Sequence, residues 1–151
     1  MKVQDVMTND VVSCAPQENL ATVAGIMAER DCGIVPVVNA DNKVVGIITE
    51  RDICIAAASR KSNFANIKAE EFCNEKIVSC RADEKLKAVL KKMRKNKIKR
   101  LPAISQDGYL IGIISITDVL LVTKKDKFLR KKVISTLTAI SKPLPITLRE
   151  I

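Results

Sequence analysis

The stretch Gly46-Ile47-Ile48-Thr49-Glu50-Arg51-Asp52 recurs as Gly112-Ile113-Ile114-Ser115-Ile116-Thr117-Asp118, a shift of 66 residues. A chain carrying such a copy folds as two like units. In each copy an apolar pair ends a buried strand and runs into a helix. Thr49 or Ser115 stands at the N-cap, with an acidic residue three positions on, as in a capping box. That pattern by itself accounts for the Thr, the Ser and both Asp residues. The same geometry also suits a ligand. A helix start offers unpaired N–H groups to a phosphate, and a nearby carboxylate can accept from both hydroxyls of a ribose.

Adding 66 to every position returns the rest of the order. Val11-Val12-Ser13-Cys14 reads as a short strand and is answered by Ile77-Val78-Ser79-Cys80. A helix starting near Asn19 carries Leu20, Val23, Ala24 and Met27 on one face; Leu86, Val89, Leu90 and Met93 repeat it. Ile34 to Val38 forms the next strand, with Pro36 marking an edge or bulge and Pro102 as its counterpart. Asn39-Ala40-Asp41-Asn42 makes a hairpin turn, mirrored at Asp107-Gly108, before the strand that ends in the cap. The expected fold class is therefore α/β (α+β type): two β-α-β-β-α repeats about a pseudo-twofold axis, packed through their sheets. Neither unit buries a full core alone. The expected segments are repeat 1 with an N-terminal arm at 1–66, repeat 2 at 67–124, and an extension at 125–151.

Composition narrows the function. At 151 residues, 47% of them apolar, the chain makes one compact body or two small units sharing a core. No apolar run approaches the ~20 residues of a membrane span, and the N-terminus has no signal-peptide pattern. Cys14, Cys32, Cys54, Cys73 and Cys80 are odd in number and lack a Cys-x-x-Cys pair. They mostly sit among apolar neighbours and read as buried, reduced thiols of a cytoplasmic protein, and a zinc site would need a more regular spacing. There is no histidine, which removes the commonest general base and the Ser-His and Cys-His nucleophiles.

The formal charge of +9 is lopsided, −2 over residues 1–66 and +11 over 67–151. Lys85, Lys87, Lys91, Lys92, Arg94, Lys95 and Lys97 lie on the non-core face of the second unit's first helix. From Lys124 a basic tail carries Phe128, Leu129, Val133, Ile134, Leu137 and Ile140 at helical spacing. Pro143 and Pro145 end it, leaving Ile146 to Ile151 extended. Its apolar stripe is expected to pack on the module or on a second chain. Clustered bases supply the sequence-independent part of nucleic-acid binding, so a basic nucleic-acid-binding module is the rival reading. The scarcity of aromatics and the lack of a DNA-reading motif weigh against it. A purely structural dimerisation module is the other alternative.

The recurring segments Asp5-Val6-Met7-Thr8, Val12 to Pro16, Gly33 to Val38 and Gly46 to Asp52, with second copies that include Lys99-Arg100-Leu101-Pro102, resemble the cystathionine-β-synthase (CBS) domain. Two copies resemble the CBS pair called a Bateman module, over about residues 3–123. The second lead-in, Glu71-Phe72-Cys73-Asn74, departs by losing the Met-Thr. The resemblance implies a non-catalytic regulatory module without a cofactor or metal, often a homodimer. Such a module binds AMP, ADP, ATP or S-adenosylmethionine between the repeats and acts on a partner protein. Carried over residue by residue, one cleft joins Thr49, Arg51 and Asp52 with Ile77, Val78, Lys99 and Arg100. Asp52 would hold the ribose, Thr49 a phosphate oxygen, and Lys99 and Arg100 the phosphate charge. The other cleft joins Ser115, Thr117 and Asp118 with Val11, Val12, Gly33 and Ile34. It has no base matching Lys99 or Arg100, so phosphate-bearing ligands should prefer the Asp52 side.

Overall fold

The computed structural model describes residues 1–60, 63–73 and 76–143, with the backbone alone for 59 and 60. The first repeat runs α1 (Leu20–Arg30), β1 (Ile34–Val38), β2 (Val44–Thr49) and α2 (Glu50–Arg60). The second runs β3 (Cys80–Arg81), α3 (Leu86–Asn96), β4 (Arg100–Ile104), β5 (Leu110–Ser115) and α4 (Ile116–Leu121), and α5 (Lys127–Ser141) follows. The expected extended segment at 146–151 lies outside the described residues. Among the described residues no helix is long and apolar enough to cross a membrane.

Each local signal has its structural answer. Asn19 caps α1, its side chain accepting from the Thr22 N–H at 2.9 Å. Asn39 closes the first hairpin by accepting from the N–H groups of Asp41 and Lys43 at 3.1 and 3.0 Å. β1 and β2 pair antiparallel, as do β4 and β5, and each pair slips register in the same place, between Val37 and Val38 and between Ala103 and Ile104.

The first strand of each repeat is shorter than expected. Only Cys14 bridges to Val37, and only Cys80–Arg81 pairs with β4; residues 11–13 and 77–79 belong to no strand. The cause is the proline. The Cys14 N–H donates to the Pro36 carbonyl at 3.0 Å and Cys14 accepts from the Val38 N–H at 2.9 Å. One step earlier, the ladder would need an N–H from Pro36 for the Val12 carbonyl, and proline has none. Pro102 stands in the same relation to Val78. The chain therefore peels away from each sheet just before its pairing begins.

Two separate apolar clusters form, and each is completed by the other repeat's lead-in. Val3, Val6 and Met7 pack with Leu86, Val89, Leu101 and Ile114, whereas Ile67, Ala69 and Phe72 pack with Leu20, Val23, Val35 and Ile48. Main-chain bonds repeat the exchange: the Val3 N–H donates to the Glu84 carbonyl and the Ala69 N–H to the Glu18 carbonyl, at 2.9 and 2.7 Å. Gly112 lies against Met7 and Thr8, and Gly46 against Phe72 and Cys73. A Cβ at either glycine would press on the opposing backbone, so the absent side chain is what admits the strap. Lys43 bridges to Tyr109, its own counterpart in the second copy, so the pseudo-twofold axis passes between them. The C-terminal stripe settles on its own module only in part: Leu129 and Val133 are buried in the cluster of the second repeat, whereas Phe128 and Ile134 are exposed.

Of the five thiols expected to be buried, Cys14 and Cys80 are, Cys32 and Cys73 are half-buried, and Cys54 is exposed on α2. Burial pushes Cys80 up from 9.0 to about 12, with Glu84 adding to the shift and Lys92 opposing it. It pushes Cys14 up from 9.0 to about 11, with Glu18 adding. Both stay protonated in the fold, so the stability they contribute is complete below pH 9.0 and is lost as pH rises toward about 11 and 12. Under mildly alkaline conditions a thiol reagent is expected to label exposed Cys54 while Cys14 and Cys80 remain unmodified. Mass spectrometry finding either buried thiol labelled in folded protein would contradict this.

Candidate functional site

The helix-start motifs form as capping boxes. Thr49 donates to Asp52 Oδ2 through its N–H at 2.7 Å and its hydroxyl at 2.6 Å, and the Asp52 N–H returns a bond to Thr49 Oγ1 at 3.3 Å. Ser115 and Asp118 repeat this at 2.7, 2.7 and 3.1 Å. One oxygen of each carboxylate is therefore engaged by its own backbone. A hollow nevertheless lies beside each cap, with Thr49 lining one and Ser115 the other.

The larger hollow has a volume of about 560 Å³. Its apolar wall includes Ile47, Ile77, Val78, Ile98 and Ile140, and its polar wall is Thr49, Glu50, Arg51, Lys76, Lys97, Lys99 and Arg100. Ile77 and Val78 face it because Pro102 stops them from joining the sheet. The second hollow, about 420 Å³, is lined by Val11 and Val12, freed in the same way by Pro36, together with Thr8, Asp10, Arg30, Asp31 and Ser115. Gly33, Ile34 and Arg100 line both, so the two hollows share a wall. Both volumes fall in the range of small-molecule sites, about 300–1,000 Å³.

Of the residues expected at the sites, Thr49, Arg51, Ile77, Val78, Lys99 and Arg100 meet in the first hollow, and Val11, Val12, Gly33, Ile34 and Ser115 in the second. Asp52, Thr117 and Asp118 are not on the lining; both carboxylates sit half-buried behind their caps. The second hollow is also not free of bases. Arg30 and Arg100 reach it, Arg30 paired to Asp10 at 3.1 Å.

Charge nonetheless separates the hollows. Among the described lining residues the first has five cations (Arg51, Lys76, Lys97, Lys99, Arg100) against Glu50, and the second has two (Arg30, Arg100) against Asp10 and Asp31. The 66-residue shift relates these positions: Lys76 answers Asp10, and Lys97 answers Asp31. Lys97 and Asp31 even share a left-handed backbone at the end of their helices, at φ 53° and 47°. Sequence reasoning missed Lys76 and Lys97, although comparing the two copies for charge reversal would have found them.

The family model of the CBS domain matches residues 3–59 and again 69–125. The chain belongs to the CBS-domain family. This CBS pair is 34% identical over 118 residues to a 17.7 kDa protein of Acidianus ambivalens, covering 78% of this chain and 70% of that one. The solved CBS pair of protein MJ0100, in complex with 5′-methylthioadenosine and S-adenosylmethionine, is 25% identical. It superposes with a TM-score of 0.72 over 81% of this chain and 98% of its own. A CBS protein of Pyrobaculum aerophilum solved with AMP shares the fold, at 21% identity and a TM-score of 0.74 over 91% of this chain and 99% of its own. The chain spans 61% of a Methanopyrus kandleri relative and 24% of a homoserine O-acetyltransferase from Methanococcus vannielii.

Proposed function

We propose that this CBS pair senses adenosyl compounds on behalf of a partner protein, as a homodimer, with the two repeats as the sensor and residues 125–151 as an extension. The Thr49 cleft takes a phosphate-bearing ligand, AMP, ADP or ATP. The Ser115 cleft takes an uncharged or cationic adenosyl group, as in S-adenosylmethionine. The observation that carries this reading is the charge reversal at matched positions, Lys76 for Asp10 and Lys97 for Asp31, on one shared framework. A phosphate entering the first cleft meets several ammonium and guanidinium donors in charge-assisted geometry, whereas the second is balanced. The ligands of the MJ0100 pair support the adenosyl class. The ribose of the first cleft is assigned to Asp52 Oδ1, Oδ2 being held by the cap; the carboxylate stands behind the lining, so the sugar reaches it past Thr49.

A thermal-shift panel of AMP, ADP, ATP, S-adenosylmethionine and NAD tests the reading, since a ligand that binds only the folded state raises the midpoint. Asp52→Ala is expected to weaken AMP binding about 10- to 100-fold, the worth of a charged hydrogen bond. It also removes the cap of α2, at about 1 kcal/mol of stability, so calorimetric titration is made well below the variant's melting point. Unchanged AMP affinity in that variant would remove Asp52 from the site.

A further inference from the structure

Helix α5 lies beyond both matched segments, the second of which ends at residue 125, yet its last turn reaches the cationic cleft. The helix is anchored along its length: Leu129 and Val133 are buried in the cluster of the second repeat, and Arg94 on α3 donates to the Ser135 hydroxyl at 3.4 Å. From that anchorage half-buried Ile140 arrives on the cleft wall beside Val78 and Ile98. Lys97, also on the lining, donates from its Nζ to the Lys142 carbonyl at 3.5 Å. The second hollow receives no residue from α5 among the described residues.

We propose that Ile140 is a ligand-contacting residue supplied from outside the repeats, and that the last turn of α5 is the element through which this cleft reports its occupancy. This rests on the nucleotide reading above and deepens it. An adenosyl group filling the cleft covers apolar surface of Ile140. A phosphate can share the Lys97 ammonium, whose three donors serve it and the Lys142 carbonyl together. Ligand and helix end then hold one another in place, and by linkage whatever displaces the α5 terminus weakens the ligand by the same factor. A partner that grips the extension would therefore feel the nucleotide without touching it.

The test titrates AMP, ADP and ATP calorimetrically into the full chain and into Ile140→Ala and Leu137→Ala. Leu137 packs on the same cluster but does not line the cleft, so its variant controls for lost packing. Ile140→Ala is expected to weaken binding about 3- to 10-fold, from partial loss of an apolar contact, and Leu137→Ala, which loosens the helix end without removing a ligand contact, to weaken it by less than about twofold. Hydrogen exchange of residues 137–142 is expected to slow when the nucleotide is present. Wild-type affinity in Ile140→Ala together with ligand-independent exchange would overturn this inference and leave the nucleotide site standing. A wild-type chain that binds none of the three nucleotides would overturn both.

Discussion

Alanine at both Lys99 and Arg100 is expected to weaken adenine-nucleotide binding by about 100-fold or more. Each charge-assisted bond to a phosphate contributes roughly 1.5–3 kcal/mol, or about ten- to a hundredfold in affinity. Lys99 is exposed, so its share falls at the lower end, while Arg100 is half-buried and presents a planar fork that can grip two phosphate oxygens. The single variants carry further information because of the shared wall. Lys99→Ala alters the first cleft alone, whereas Arg100→Ala alters the lining of both. Titration with AMP and with S-adenosylmethionine is therefore expected to show Lys99→Ala affecting AMP only and Arg100→Ala affecting both ligands. AMP affinity within twofold of wild type in the double variant would remove the phosphate from this cleft.

The largest loss of stability is expected from Val3→Asp. Val3 is fully buried, not in its own repeat but among Leu86, Val89, Leu101 and Ile114 of the second. A carboxylate there either stays charged in an apolar pocket or pulls the strap out and uncovers that cluster, and both routes cost several kcal/mol. The damage has an address. Hydrogen exchange should show α3, β4, β5 and α5 losing protection, while α1, β1 and β2, closed by Ile67 and Ala69, keep theirs. Denaturant unfolding with a wild-type midpoint would show that the exchanged strap contributes nothing to the second core.

These two expectations differ in where their grounds become visible. Lys99 and Arg100 stand out in the bare chain because the copy 66 residues earlier reads Gly33 and Ile34 at those positions. Val3 does not stand out. An apolar residue in a short polar lead-in packs equally well on whichever surface lies nearest, and nothing within a few residues says which. The same division runs through the site. The capping boxes at Thr49 and Ser115 involve groups three residues apart, so spacing alone discloses them. Lys76 and Lys97 lie 21 residues apart and come to one hollow only in the folded chain. Ile140 needed a helix outside the repeats to be laid along α3 first.

The amino-acid order by itself determined the duplication, the caps, the hairpin turns and the two prolines, because each is a relation within a few residues or a copy of one. Folding in space decided the rest: that the lead-ins change places, that the prolines open hollows instead of merely ending strands, and that one hollow gathers cations while its twin is balanced. Those outcomes depend on which distant groups share a surface, and side chains far apart along the chain acquire a common field only once the backbone has brought them within reach of one another.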